Sequence, residues 1–173
     1  AKGLMIQAIR EDDPVIFLEH KAMLDDTEEV PDEPYAVPFG EARTWREGGD
    51  VTVVALGRMV QLANGVADKL KDDGIGVSVI DPRTTSPLDT EAVLAAARQT
   101  GRVVVVDEGY PRCGFAADVA ALIAEHAFDA LKAPILKVTP PHSPVPFSPP
   151  LEDAYLPGPE KIEAAVRKVA GDA

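Results

Sequence analysis

Short runs of aliphatic and β-branched residues recur along this chain (VTVVALG from 51, VSVI at 77–80, VVVV at 103–106, ILKV at 135–138), each separated from the next by a stretch of helical periodicity. The runs lack the in-and-out alternation of a half-exposed strand, so both faces of each must be covered. Strands of this kind with helices between them specify an α/β fold whose sheet is mostly parallel and flanked by helices on both faces. Ahead of the first run, EARTWREGGDVTVVALG reads as a strand, a GGD turn and a second strand. This predicts a hairpin that adds one antiparallel edge and brings the sheet to five strands.

The helices are predicted from the same rhythm. Residues 59–73 carry apolar side chains at Val60, Ala63, Val66, Ala67 and Leu70, with Gly74 where a helix ends. A helix over about 90–99 has Asp89 as its N-cap, another covers 114–128, and a last one over 159–170 begins on Pro159. At the start of the chain, Leu4, Met5, Ala8 and Ile9 recur at helical spacing without an initiator Met. The chain is therefore expected to start inside an amphipathic helix of a longer polypeptide, to leave it before Pro14, and to form a short buried strand at 15–18. The acid- and proline-rich stretch that follows is too broken for a regular element, so 1–20 is expected to close one domain, 21–40 to link, and 41–173 to form a second domain.

A net charge of −12 over 173 residues, with its Lys and Arg scattered, excludes nucleic acid as a partner, and no apolar run is long enough for a membrane span. One cysteine and no visible signal peptide predict a cytoplasmic protein without disulfides.

Open parallel sheets gather ligands at the carboxyl ends of their strands, which makes Asp81, Arg83, Asp107 and Glu108 the first candidates. The turns there lack the glycine pattern of a phosphate cradle, and acids ahead of a helix gain from its dipole without any chemistry. Cys113 stands between Arg112 and a helix start on one side and two acids on the other, and is expected to be a packed, unreactive thiol. His20, His126 and His142 lack zinc-ligand spacing. TPPHSPVPFSPPLEDAYLP is a polyproline-like strip bearing Phe147, Tyr155 and Leu156, suited to drape over its own domain or to offer a docking edge. The free carbonyls ending the first helix, with Glu11, Asp12 and Asp13, form an electronegative cluster that suits a cation.

Taken together, AIREDDPVIFLEHK, EEVPDEPYAVPFGEARTWREGGDVTVVALGRMV, VIDPRTTSPLD, GRVVVVDEGYPRCGFAADVAALI and PHSPVPFSPPLEDAYLP resemble, in order and spacing, the beta subunits of thiamine-diphosphate-dependent 2-oxo acid dehydrogenases. DPRTTSPLD and PHSPVPFSP resemble the acetoin-type branch. The resemblance implies that an alpha subunit holds the diphosphate through magnesium, that a glutamate from the amino-terminal half of the beta subunit activates the aminopyrimidine, and that this chain alone neither binds thiamine diphosphate nor turns over. It implies that 1–20 ends a pyrimidine-binding domain and that 41–173 is a transketolase C-terminal domain serving assembly. The implied partners are the alpha subunit, a second beta subunit in a heterotetramer, and the peripheral subunit-binding domain of the acyltransferase core. Asp107, Glu108, His142 and Phe147 then become interface residues. Ala8, Glu11 and Asp13 match groups that hold a monovalent cation, potassium in this reading. The substrate stays open between pyruvate, a branched-chain 2-oxo acid and acetoin. Two other readings are an acidic protein-binding module of flavodoxin-like architecture without chemistry, and a flavodoxin-like nucleotide binder, which the missing phosphate loop disfavours.

Overall fold

Val53 and Val54 are neighbours in the chain, have no exposure, and point into opposite helical layers. The computed structural model describes residues 1–171. Its elements are α1 (Lys2–Arg10), β1 (Arg43–Arg46), β2 (Val51–Ala55), α2 (Arg58–Asp72), β3 (Val77–Asp81), α3 (Thr90–Thr100), β4 (Val103–Val106), α4 (Phe115–His126), β5 (Leu136–Val138), α5 (Pro149–Tyr155) and α6 (Pro159–Ala170), with short 3-10 turns at Lys21–Met23 and Phe128–Ala130. The five strands lie in the order β1-β3-β2-β4-β5, all parallel except β1.

The period of two divides each buried run between two cores. Val51, Val53, Ala55, Val77, Val79, Val104 and Val106 meet α2 and α6, while Val54, Ile80, Val103 and Val105 meet α3 and α4. The α/β sheet covered on both faces is therefore as the sequence predicts. Thr52 is the polar exception inside β2. Its hydroxyl donates to the Ala96 carbonyl at 2.9 Å and lies 3.0 Å from Thr100 Oγ1, which ties β2 to α3; among the described residues no buried side-chain N or O is left without a partner. Asp89 caps α3 as expected, accepting the Ala92 N–H at 3.0 Å, and its other oxygen takes the Ala42 N–H at 2.8 Å. One carboxylate thus also fixes the approach to β1.

The expected hairpin does not form. β1 pairs antiparallel with β3, Arg43 opposite Asp81 and Thr44 opposite Ile80, so β3 lies between β1 and β2. The two-faced apolar run of β3 belongs inside the sheet, whereas the charged RTWR strand suits an edge. The GGD connection crosses the start of β3. A Cβ on Gly48 would fall 2.4 Å from the Val77 backbone, and Asp50 accepts the Gly76 N–H at 2.7 Å.

The buried strand expected at 15–18 is absent as well. Those residues are irregular and pair with no strand of this sheet, with Ile16 87% and Leu18 88% exposed. Residues 24–40 are irregular as expected but not free of the fold. Gly3, the one buried residue of α1, packs on Tyr35 and Val37 and accepts the Val37 N–H at 3.1 Å, while Gln61 of α2 donates to Asp26 at 2.6 Å. The strip is irregular over 139–148, bending at His142 and Ser143, and then forms α5, which the sequence reading did not anticipate. Two prolines occupy its first turn, where a missing N–H costs nothing.

Charges on α2 and α6 are paired across the helix interface. Glu163 accepts from Lys69 at 2.7 Å and from Arg167 at 3.0 Å, and Arg167 also reaches Asp73. Donation from Lys69, then from Arg167, holds the Glu163 carboxyl below the usual carboxylate range against the opposing effect of burial. A depressed folded-state pKa contributes stability that is present above the unfolded value and lost as pH falls through the folded one. Urea unfolding of wild type and Glu163→Gln should therefore differ fully at neutral pH and converge at pH values below the ordinary glutamate pKa of about 4.3. A difference unchanged at pH 3 would contradict this assignment.

Candidate functional site

The connections leaving the sheet diverge at its centre. From β2 the chain crosses through α2 to β3 on one side, and from β3 it crosses through α3 on the opposite face to β4 on the other side. The carboxyl ends of β2 and β4 therefore flank a topological switch point, the crevice where open α/β sheets hold ligands.

In this chain the crevice is closed by the chain itself. His20 stands over it, with Cδ2 3.6 Å from where a Cβ on Gly57 would lie, just past β2. Its Nε2 is 2.7 Å from Glu108 Oε2, just past β4. The Nδ1 of the same ring accepts the Ala22 N–H at 3.2 Å, which starts the Lys21–Met23 turn. An Nδ1 that accepts leaves the proton on Nε2, so His20 donates to Glu108 and both ring nitrogens are engaged.

Asp107 is similarly occupied. It is 9% exposed, and its two oxygens accept the Gly109 N–H at 3.0 Å and the Ala116 N–H of α4 at 3.4 Å. Both oxygens of Asp107 are thus committed to its own turn and to α4, while one oxygen of Glu108 is held by His20. Beyond them, Tyr110 meets His142 edge-on with ring centroids 5.6 Å apart, Lys137 of β5 donates to the Pro111 carbonyl at 2.8 Å, and Tyr155 donates to the Ser143 carbonyl at 3.1 Å. Burial first, and then Tyr110, raises the Tyr155 pKa.

The structure thus brings Asp107, Glu108 and His142 to one turn. Phe147 stands apart on the strip, 98% exposed. Asp81 and Arg83 form a separate corner. Asp81 accepts the Arg83 N–H at 2.9 Å and the Trp45 Nε1–H at 3.3 Å, Arg83 has φ of 61°, and the Arg43 guanidinium stacks 3.6 Å from the Trp45 ring centroid. Cys113 is exposed rather than packed; it lies in the loop before α4 with a left-handed backbone (φ 54°). His126 is exposed beside Glu125. Ala8, Glu11 and Asp13 lie at the solvent-facing end of α1, where Glu11 accepts from Gln7. Among the described residues, no group of three or more His, Cys, Asp or Glu is gathered to hold a metal ion.

Sequence reasoning named His20 and Tyr155 without connecting either to this turn, and it missed Tyr110. The contact that matters for His20 spans 88 residues, and the only local signal was an acid-tipped strand facing a lone histidine. The side chains of His20 and Glu108 are 32% and 24% exposed, so their coupling in a double-mutant cycle by urea unfolding should be about 1 kcal/mol. Glu108→Gln, which retains an acceptor, should preserve more of it than Glu108→Ala. Additive single effects would show that the pair is not formed.

Residues 40–162 match a family model described as "Transketolase, C-terminal domain". The chain is similar to the beta subunit of acetoin:2,6-dichlorophenolindophenol oxidoreductase of Cupriavidus necator, 54% identical over 96% of this chain and 49% of that one. It is 43% identical to the pyruvate dehydrogenase E1 component subunit beta of Bacillus subtilis, over 98% of this chain and 52% of that one. It spans about half the length of these curated relatives. Among solved structures it resembles a split-gene transketolase described as an inactive beta4 tetramer, with a TM-score of 0.70, 30% identity, and 83% of this chain and 46% of that chain covered. No helix among the described residues is long and apolar enough to cross a membrane.

Proposed function

The chain belongs to the transketolase C-terminal domain family, and from that premise we propose that it is the carboxyl-terminal part of the beta subunit of a thiamine-diphosphate-dependent dehydrogenase acting on acetoin. The observation that carries the reading is the 54% identity to an acetoin-oxidising relative, against 43% to a pyruvate dehydrogenase subunit over a similar span. In this reading 1–20 closes a pyrimidine-binding domain, 21–40 links, and 41–173 is the assembly domain of a cytoplasmic heterotetramer with two alpha subunits.

Thiamine diphosphate requires a carboxylate free to meet its aminopyrimidine and an oxygen set for magnesium beside its diphosphate. Here both oxygens of Asp107 are spent on backbone amides, one oxygen of Glu108 is held by His20, and His20 stands over the crevice between β2 and β4. The residues of this chain therefore do not fit the cofactor by themselves, and its contacts are assigned to the alpha subunit and to the rest of the beta subunit. The family likeness supports that division.

For this chain the reading leaves assembly. The exposed acids Asp25, Asp26, Glu28, Glu29, Asp32 and Glu33 suit electrostatic steering of a basic domain of the acyltransferase core, an attraction that salt weakens. Ala8, Glu11 and Asp13 are assigned to one side of a potassium site completed from outside these residues.

The test is reconstitution. The full-length beta chain mixed with its alpha partner should bleach 2,6-dichlorophenolindophenol in the presence of acetoin, thiamine diphosphate and magnesium. Turnover with pyruvate alone would reassign the substrate, and no turnover with acetoin, pyruvate or 2-oxoisovalerate would refute the proposal.

A further inference from the structure

Residues 107–111 leave β4 with contacts in two directions. Toward the start of the chain, Glu108 holds His20 at 2.7 Å, and His20 in turn caps the Lys21–Met23 turn through Ala22. Toward the end of the chain, Tyr110 stands edge-on to His142 on the strip, and the strip's Ser143 carbonyl is held by Tyr155 of α5. The turn between these contacts is anchored beneath. Lys137 of β5 pins the Pro111 carbonyl, and Asp107 pins the amides of Gly109 and Ala116. Its geometry has little slack, since a Cβ on Gly109 would lie 2.8 Å from Asp107 Oδ2.

Glu108 and Tyr110 flank Gly109 on one short turn, so a shift of the turn's backbone carries both side chains. The strip is positioned to be moved. It faces solvent with Val145 60%, Phe147 98% and Leu151 59% exposed, and its ring contact to the turn runs through the exposed His142.

We infer that the 107–111 turn is a clasp that couples two distant surface segments, so that drawing the strip 139–151 away from Tyr110 also loosens His20 and the segment leading back to α1. The coupling is reciprocal, because linkage between two sites is the same free energy read from either end. The inference rests on the proposed function only for the meaning of the segment it releases, which in that reading leads to the neighbouring pyrimidine-binding domain.

Amide hydrogen exchange on the full chain, read by mass spectrometry, tests it. His142→Ala should raise exchange at least threefold in peptides covering 139–155 and also in those covering 20–24. His20→Ala should do the same in reverse, and Phe147→Ser, which leaves the Tyr110 contact in place, should change neither region's exchange relative to the other. His142→Asn replaces the alanine variant if melting shows that it has not folded. Exchange that rises only on the mutated side, or on neither side, overturns the clasp. Because the readout is exchange and not turnover, that failure is distinct from a failure of reconstitution with acetoin.

Discussion

Burial of the central strands on both faces is the constraint from which the other placements follow. β2 and β4 carry valines with no exposure on either side, and their backbone groups are satisfied only within a parallel ladder. Parallel pairing requires a crossover for each strand, and crossovers that leave in opposite directions create a crevice at the carboxyl ends of β2 and β4. A fold of this kind therefore arrives with a ligand-binding position already made, whether or not its sequence has a use for one.

This chain fills that position with its own side chains. His20 spans the ends of the two strands, Glu108 accepts its Nε2–H hydrogen bond, and Asp107 accepts from the amides of the turn and of the first turn of α4. Acids at strand tips usually invite a catalytic reading, but a carboxylate whose oxygens are committed to neighbouring donors gives structure in place of reactivity. The same contacts tie the segment before the linker to the sheet. Residues 20–24 are thereby joined to the sheet at its topological switch point, the place where open α/β sheets hold ligands.

Much of the fold was legible in the sequence because its signals are local. The valine runs, the N-cap at Asp89, the glycine after α2 and the proline opening α6 each report a geometry set within a few residues. What was not legible depended on partners far along the chain. GGD signals a reversal of direction but not which strand lies beside it, so β1 was read as pairing with β2 when the buried run of β3 takes the inner place. Residues 15–18 have strand composition but find no neighbour. Of the candidate site, Asp107, Glu108 and His142 were identified as positions. The roles of the first two emerge only from His20 and from the amides they meet, and that of His142 only from Tyr110.

The central claim is that the acids at the end of β4 hold structure and do not carry chemistry. Its most direct test is the turnover number of the proposed alpha–beta assembly, reconstituted with the full-length chain bearing Glu108→Ala and isolated by size so that only assembled material is counted. Turnover per complex should stay within about threefold of wild type while the yield of complex falls. Full assembly with turnover reduced a hundredfold or more would contradict it.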